Sequence, residues 1–360
     1  MPAAFIRVGR SICVGGARVN SGKSSTYRTL VEPRIIEAKT VDEPRPDKPA
    51  VRTVLVDEES AGQRLDNLLL RLLKGVPKTH VYRVIRSGEV RINMGRVAAD
   101  TRVAAGDLIR LPPLRLPAPS TAPPAPAREF PVLFEDEQML AVDKPAGVAV
   151  HGGSGVSFGV IEQLRQARPT ARFLELVHRL DRETSGVLLL AKKRSALVTL
   201  QEQFRRRTTA KVYAALVAGA WPRSLKVIDE PLHKGLDAVG ERHVRVVSKA
   251  DDDGRRSITL VQVVRAGAAF SLLDVTIKTG RTHQIRVHLK HHGHPIAGDP
   301  KYGDFALNRR LARGEALPGL RFERMFLHAR QLAFDHPLDG RRIVLDAPLP
   351  PACNALLEHL

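Results

Sequence analysis

The sequence predicts an α+β protein with a small helix-and-strand module and a larger domain built on a mixed, mainly antiparallel sheet. Helical and strand patterns lie close together between residues 55 and 111. Residues 112–127 (PPLRLPAPSTAPPAPA) should be extended, because Pro lacks the N–H that helix and sheet interiors require. From residue 131, short β-rich runs alternate with two helical patterns. We therefore expect domains at 55–111 and 131–360, joined by a Pro-rich linker at 112–130.

Residues 1–54 precede the first module, and we expect them to form a flexible tail. They are rich in Ser, Gly, Pro, Arg and Val without sustained helical or strand periodicity. Such a segment buries too little apolar surface to offset the entropy of ordering. The stretch GGARVNSGKSS is similar to a phosphate-binding loop, but that loop would need Gly at position 17, where Ala17 stands. We expect no nucleotide site there.

The module at residues 55–111 reads as two helices followed by a strand. Ser60 could cap a first helix, since Leu65, Leu68, Leu69 and Leu72 recur at helical spacing after it. Residues 74–77 break that helix, and a second is expected from residue 78 to residue 87, ending at Gly88. Residues 89–93 alternate like a strand beside a turn at residue 95.

The overall charge indicates a polyanionic partner. The chain has 57 Lys and Arg against 38 Asp and Glu, a formal charge of +19. An acidic membrane is disfavoured, because no apolar run approaches the roughly 18 residues of a spanning helix and no basic amphipathic helix stands out. The excess is concentrated in the first module, with eleven Lys and Arg against four Asp and Glu between Ser60 and Arg115. Nucleic acid is the favoured partner.

Cysteine usage and the N-terminus favour a cytoplasmic protein. Cys13 and Cys353 are the only cysteines, which excludes a disulfide framework and a Cys-based zinc site. The first residues lack the apolar stretch of a signal peptide. Two other groups invite a metal, the histidines between residues 288 and 294 and the acidic run at 251–253, but neither has a full set of ligands. We expect no metal site.

In the larger domain we expect strands within residues 132–144, 185–193, 211–219 and 270–280, and helices within 161–168 and 195–207. The segment VHRLDRETSGVLLLAKK, residues 177–193, joins a charged turn to an apolar strand that begins at Gly186. Asp181 stands there between Arg179 and Arg182, and neighbouring cations keep a carboxylate ionised. From the residues alone, a catalytic carboxylate and a surface ion-pair network are both possible.

The motif HRLDRETSG resembles the signature of the RluA-type pseudouridine synthases at all eight specified positions. KVYAALVAG, with Lys211 and Tyr213, TGRTHQIRVH at residues 279–288 and FLHARQLAF at 326–334 are similar to further stretches of that family. The first module resembles an S4 RNA-binding domain. Together the resemblance covers roughly residues 55–355.

The resemblance implies that Asp181 is the catalytic carboxylate and that Arg286 pairs with it, fixing its direction through a bidentate guanidinium. It implies that Tyr213 stacks on the uracil and helps to move the C5 proton, and that Arg179 flips the base out of the RNA. The alternatives are a core aromatic for Tyr213 and a phosphate contact for Arg286. Further RNA or substrate contacts are expected at Arg182, Leu327, Arg64, Lys78, Arg83, Arg86, Arg91 and Arg96.

The function that the resemblance implies is isomerisation of specific uridines to pseudouridine in 23S ribosomal RNA or a large-subunit precursor. The carboxylate could attack C1′ of the ribose or C6 of the ring, and the sequence does not choose between them. The resemblance implies no cofactor, and we expect a cytoplasmic monomer. The alternative is a catalytically silent RNA-binding ribosome-assembly factor. A small-molecule glycosidase would need a second catalytic carboxylate and would leave the basic charge unexplained.

Overall fold

The computed structural model describes residues 50–359 apart from residues 59, 74, 115–123, 154–155, 237–241 and 318. The chain divides into two compact units, residues 1–116 and 117–360. Most of the predicted tail lies outside the described residues, including the stretch that is similar to a phosphate-binding loop. The middle of the predicted linker also lies outside them.

The first unit is a four-stranded antiparallel sheet with two helices. Its elements are β1 (Arg52–Leu55), α1 (Leu65–Leu72), α2 (Lys78–Arg86), β2 (Arg91–Ile92), β3 (Gly95–Arg96) and β4 (Leu108–Leu111). The strand order is β1-β4-β2-β3. One apolar cluster forms its core, to which α1 contributes Leu65, Leu68 and Leu69 at the predicted helical spacing.

Two predictions about this unit were wrong in detail. Ser60 does not cap a helix, since α1 begins at Leu65 with Arg64 at the N-cap position, and the backbone at Gly62 has a left-handed φ of 74° that interrupts any earlier start. The strand β1 of this unit also starts three residues before the predicted domain boundary at residue 55. A strand of four residues carries little periodicity, and its partner β4 lies more than fifty residues further along the chain.

The second unit contains the remaining helices and strands. They are β5 (Val132–Glu135), β6 (Met139–Lys144), α3 (Val160–Ala167), β7 (Glu175–Leu176), β8 (Ser185–Ala191), α4 (Arg194–Arg206), β9 (Ala210–Ala218), β10 (Val227–Asp229), β11 (Leu232–Leu236), β12 (Arg242–Val246), β13 (Ile258–Ala266), β14 (Phe270–Ile277), α5 (Gln284–His291), α6 (Phe305–Arg313), β15 (Leu327–Asp335), β16 (Arg342–Asp346) and α7 (Pro351–Glu358).

A ten-stranded sheet dominates this unit, in the order β10-β13-β14-β9-β15-β8-β6-β5, with β16 on β15 and β7 on β8. Its pairings are antiparallel except between β8 and β15, which run parallel with Ser185 opposite His328 and Gly186 opposite Ala329. The predicted α+β class with a mixed, mainly antiparallel sheet is confirmed. At Gly186, φ is 110° and an added Cβ would lie 2.2 Å from the Ala329 carbonyl oxygen, so this pairing requires Gly.

Further differences concern the edges of the second unit. Phe130, which the sequence placed at the end of the linker, is buried in the core of this unit. The helices α5, α6 and α7 were not predicted. Among the described residues, no helix is both long enough and apolar enough to cross a bilayer.

Candidate active site

The Asp181 loop connects β7 to β8, where the sequence placed a charged turn before an apolar strand. The Thr184 N–H donates to the Asp181 carbonyl and closes the turn at 3.2 Å. The fully buried ammonium of Lys144 anchors the loop from below by donating to the carbonyls of Pro145, Val148 and Arg182, at 2.8, 2.7 and 3.0 Å. Burial lowers the pKa of Lys144 to about 7, although Glu183 and Asp181 oppose the shift. The loop is therefore fixed to the end of β6.

Arg286 reaches Asp181 from α5. Its Nη1 donates to Asp181 Oδ2 at 3.1 Å, while Nε and Nη2 donate to the two oxygens of Asp299, both at 2.7 Å. The Asp299 side chain is 1% exposed and also accepts hydrogen bonds from the backbone N–H groups of Lys301 and Tyr302. Burial lowers the pKa of Arg286, but the hydrogen bonds and charge of Asp299 and the charge of Asp181 raise it overall. One buried guanidinium thus connects two carboxylates.

Tyr213 on β9 lies beside this ion pair. Its ring belongs to the buried core, and it lines a cavity of about 100 Å³ together with Asp181 and Arg286. Arg179 and Leu327 line the same cavity, so five of the predicted site residues come together there from the Asp181 loop, β9, α5 and β15. Burial and then the charge of Asp181 raise the pKa of Tyr213, so the phenol keeps its proton at neutral pH.

His283, which the sequence analysis did not single out, also lines the cavity. It occupies the N-cap position of α5 with a left-handed φ of 54°, unusual for a residue other than Gly. Its Nδ1 lies 2.9 Å from the hydroxyl of Tyr302, and its Nε2 lies 3.9 Å from Asp181 Oδ2. The Tyr302 ring also contacts the Arg286 guanidinium, 5.1 Å from ring centre to Cζ.

A second, larger depression of about 900 Å³ is lined by Val212, Asp274 and Arg330 among others. Val212 precedes Tyr213 on β9, and side chains alternate along a strand, so this depression lies on the opposite face of the sheet. Of the charged side chains that line it, Arg330 and Asp274 bind each other at 2.8 Å. The smaller cavity is where acid, base and aromatic groups converge.

Comparison with known proteins identifies the family. The RNA pseudouridylate synthase model matches residues 138–291, and the S4 domain model matches residues 63–109. A ribosomal large subunit pseudouridine synthase C from Pasteurella multocida is 47% identical over 317 residues, which are 86% of this chain and 94% of that protein. The chain belongs to the RNA pseudouridylate synthase family.

Two further matches agree with this. The Escherichia coli ribosomal large subunit pseudouridine synthase C is 47% identical over 320 residues, covering 87% of this chain and 98% of that protein. Human RNA pseudouridylate synthase domain containing 4 superposes with a TM-score of 0.52 at 27% identity, over 64% of this chain and 92% of that one. The predicted RluA-type family, its S4 domain and the enzyme class of pseudouridine synthase are confirmed.

In the S4 unit of this pseudouridine synthase, the predicted RNA contacts are exposed on one stretch of chain. Lys78, Arg83 and Arg86 lie on α2, while Arg91 and Arg96 lie on β2 and β3. Arg64 is also exposed, but its guanidinium already binds the buried carboxylate of Asp66 at 2.7 Å. In the catalytic unit, Arg182 is exposed and pairs with Glu183 at 2.8 Å, and it does not line the cavity.

The histidines on α5 and at its C-cap lie next to protein groups. His288 is buried between Thr259 and the Glu230 carbonyl, and His291 and His292 face the Glu230 carboxylate. A metal-compatible grouping occurs at His233, Asp251 and Asp253, part of it on the acidic run where the sequence predicts no metal site. None of these three residues lines the cavity.

Sequence reasoning missed Asp299, Tyr302 and His283 in the site of this synthase. Asp299 and Tyr302 lie in the stretch GDPKYG, which reads as an ordinary turn. In the sequence, Asp299 stands out only as an acidic residue that follows the histidine run. A buried Arg requires an anionic partner, and that requirement is the signal that could have directed a search for Asp299.

Proposed function

We propose that this pseudouridine synthase isomerises specific uridines to pseudouridine in the 23S RNA of the large ribosomal subunit. The observation that carries the proposal is the 3.1 Å contact between Arg286 and Asp181 in a cavity that Tyr213 also lines. The large-subunit target is supported by the names of relatives that are 47% identical to this chain. The basic S4 unit supplies an electrostatic reason for binding folded RNA.

Asp181 acts as the nucleophilic carboxylate in this proposal. Isomerisation breaks the bond between N1 and C1′, turns the uracil and joins C5 to C1′, with no net oxidation or reduction. The carboxylate adds either to C1′, as in retaining glycosidases, or to C6 of the ring, and both routes require an ionised oxygen directed into the cavity. Arg286 supplies that direction, because its Nε and Nη2 donors are held by Asp299.

Tyr213 provides the surface on which the uracil stacks. An aromatic ring offers stacking that tolerates the rotation of the base between bond breaking and bond making. Because its pKa is raised, Tyr213 keeps its own proton, so it would assist loss of the C5 proton by donating a hydrogen bond and would not itself be the base that accepts that proton. Leu327 lines the cavity from β15, where its side chain would pack against the bound base.

Arg179 is the residue that we propose for base flipping. A target uridine stacked in folded RNA must leave its helix before Asp181 can reach it, and the gap must be filled. Arg179 is exposed and lies two residues before Asp181 on the same loop. Arg182 and the basic side chains of the S4 unit then hold RNA phosphates. We propose that the enzyme acts in the cytoplasm as a monomer without a cofactor.

The test of the substrate is site mapping in cells. A bacterial strain lacking its own enzyme of this type is complemented with wild type, Asp181→Asn or the exposed control Asp252→Asn. Pseudouridines in 23S RNA are mapped by carbodiimide-dependent stops of reverse transcription. The informative stops are those that the uncomplemented strain lacks. We expect wild type and Asp252→Asn to restore them at the same uridines, and Asp181→Asn to restore none of them. Stops restored by Asp181→Asn would remove the proposed nucleophile, and no stops with wild type would remove the 23S target.

The S4 role is tested by the salt dependence of RNA affinity. Replacing Arg83 and Arg86 by Gln removes two charges from α2, and a control replaces the exposed Arg309 and Arg310 on α6 in the same way. We expect the slope of log affinity against log salt to become shallower by about 0.7–0.9 for each phosphate that is no longer neutralised, in the S4 variant more than in the control. Equal slopes in both variants would assign the effect to net charge alone.

A further inference from the structure

We infer that His283 is a further catalytic residue, whose Nε2–H donates a hydrogen bond to the O4 carbonyl of the target uracil as that oxygen becomes negative. The inference rests on the proposed function, because it places a uridine in the cavity beside Asp181. It assigns to His283 a stabilising contact, not a proton transfer, so the imidazole keeps its proton throughout.

His283 is directed into the cavity and has a donor position to spare. Its Nε2 lies 3.9 Å from Asp181 Oδ2, beyond the range of a hydrogen bond. Within the described part of the chain, Tyr302 is the residue to which the imidazole is hydrogen-bonded, through Nδ1. The side chain is 22% exposed and is one of those that line the cavity. The Asp181 oxygen is thus a near neighbour and not a partner.

Tyr302 determines which nitrogen of His283 carries the proton. The Tyr302 residue is 1% exposed, so its hydroxyl hydrogen needs a protein acceptor. The hydroxyl oxygen accepts from the Val244 N–H at 3.1 Å, and a backbone N–H offers no lone pair in return. Nδ1 of His283, at 2.9 Å, is the acceptor that the described residues provide. The neutral ring therefore carries its hydrogen on Nε2, facing the cavity.

The surroundings favour the neutral ring. Burial lowers the pKa of His283, and Arg286 lowers it further, although the charge of Asp181 opposes both. A neutral imidazole held at a helix N-terminus can polarise a carbonyl as a hydrogen-bond donor. His283 is the N-cap residue of α5 and has a left-handed φ. Arg286 lies on the first turn of the same helix.

Uracil O4 gains negative charge on both routes to pseudouridine. If Asp181 adds to C6, the C5–C6 π electrons move through C4 and form an enolate on O4. If the bond between N1 and C1′ breaks first, its electron pair goes to N1 and is delocalised onto O4 and O2. A donor placed at O4 therefore lowers the barrier whichever atom Asp181 attacks, in the way that preorganised donors stabilise oxyanions.

The experiment combines enzyme variants with altered substrates. RNA fragments spanning one uridine mapped in the complemented strain are made with uridine, 4-thiouridine or 2-thiouridine at that position. Single-turnover rates are measured by nucleoside chromatography for wild type, His283→Asn, Tyr302→Phe and the exposed control His359→Asn. Asn tolerates a left-handed φ, so His283→Asn separates the loss of the imidazole from strain at the start of α5. Melting curves and RNA affinities accompany every rate.

We expect His283→Asn to slow conversion of uridine about 10- to 100-fold at unchanged RNA affinity, Tyr302→Phe to slow it less, and His359→Asn to have no effect. Sulfur is a poor acceptor, so on 4-thiouridine the ratio of wild type to His283→Asn should fall below about threefold, while 2-thiouridine should preserve it.

A His283→Asn rate within about threefold of wild type on uridine would overturn the inference, and so would a ratio unchanged on 4-thiouridine or lost on 2-thiouridine. If His283→Asn melts at a lower temperature, the ratio between substrates still decides, because both rates come from the same folded fraction. Failure of the proposed substrate would show in the wild-type rate, whereas failure of this inference shows only in the ratios.

Discussion

Replacing Asp299 by Asn would test how strongly the site depends on a residue that does not line the cavity. The Asp299 carboxylate accepts four hydrogen bonds, two of them from Arg286 at 2.7 Å. The amide oxygen, in the place of Oδ1, can still accept from the two backbone N–H groups and from Arg286 Nη2. The NH₂ group, in the place of Oδ2, cannot accept from Arg286 Nε, and the neutral amide no longer balances the buried guanidinium. Arg286, whose side chain is 5% exposed, would keep its bond to Asp181 and its contact with the Tyr302 ring.

The expected loss of stability follows from burial. Breaking a buried, hydrogen-bonded ion pair from one side costs about 3–5 kcal/mol. For a unit of more than 200 residues, each kcal/mol lowers the melting temperature by about 2–4 °C, so the fall should be roughly 6–20 °C. Trp221 is the single Trp of the sequence and is buried in the catalytic unit, so its fluorescence reports the unfolding of that unit. We also expect isomerisation to slow about 10- to 100-fold, because a small misplacement of a catalytic group has effects of that size.

The exposed pair of Asp229 and Arg256 provides a matched control. It has a similar distance, 3.0 Å, but its side chains are 35% and 73% exposed, and such pairs contribute little. Asp229→Asn should therefore melt and react like wild type. The reasoning would be refuted if the melting temperature of Asp299→Asn fell by less than about 3 °C, or if Asp299→Asn and Asp229→Asn had the same melting temperature and rate. The buried pair of Arg286 and Asp299 would then contribute less than the free energy of unfolding expected for it.

Three further predictions concern the elements around the site. Gly186→Ala should destabilise the catalytic unit by at least about 2 kcal/mol in urea unfolding followed by Trp221, because its Cβ would overlap the Ala329 carbonyl; wild-type stability would contradict the close approach of β8 and β15. Burial lowers the pKa of His328 to about 4 from an ordinary value of 6.5, so the folded state holds the neutral ring. Its stabilising contribution should be complete above pH 6.5 and fall by about 3 kcal/mol as the pH drops to 4, and His328→Gln should flatten that part of the urea profile. Lys144→Met should leave three carbonyls without their donor, which lowers the free energy of unfolding by about 1–3 kcal/mol. It should also slow isomerisation, and a wild-type rate of isomerisation would show that other contacts hold the Asp181 loop.

The sequence was most informative where the function is encoded in adjacent residues. Asp181 and its flanking arginines form one contiguous motif that runs into β8, and the loop and strand lie where they were predicted. The second helix of the S4 unit was predicted over residues 78–87 and is found over Lys78–Arg86. In both cases local signals, a polar turn before an apolar run or a helix before a Gly, determine the structure.

The sequence was least informative where burial replaces periodicity. Six of the eight residues of α5, including Arg286 and His288, are buried, so the helix has no polar face to produce an amphipathic pattern. The helix α6 does carry local signals, since Asp304 caps its N-terminus by accepting from two backbone N–H groups and Gly314 ends it with a left-handed φ. The pairing of Arg286 with Asp299, in contrast, depends on the tertiary fold, and no local sequence pattern indicates it.

The parallel pairing of β8 with β15 has a consequence for synthesis on the ribosome. Ser185 and His328 are opposite each other in the sheet but 143 positions apart in the chain, and Leu327 enters the cavity from the same late strand. Contacts this distant in sequence form only after the intervening polypeptide has been made, and topologies rich in them fold slowly. The nascent chain therefore carries Asp181, the proposed nucleophile, well before it contains the strand that completes the pocket, and no nucleobase can be held there until β15 has emerged and paired with β8.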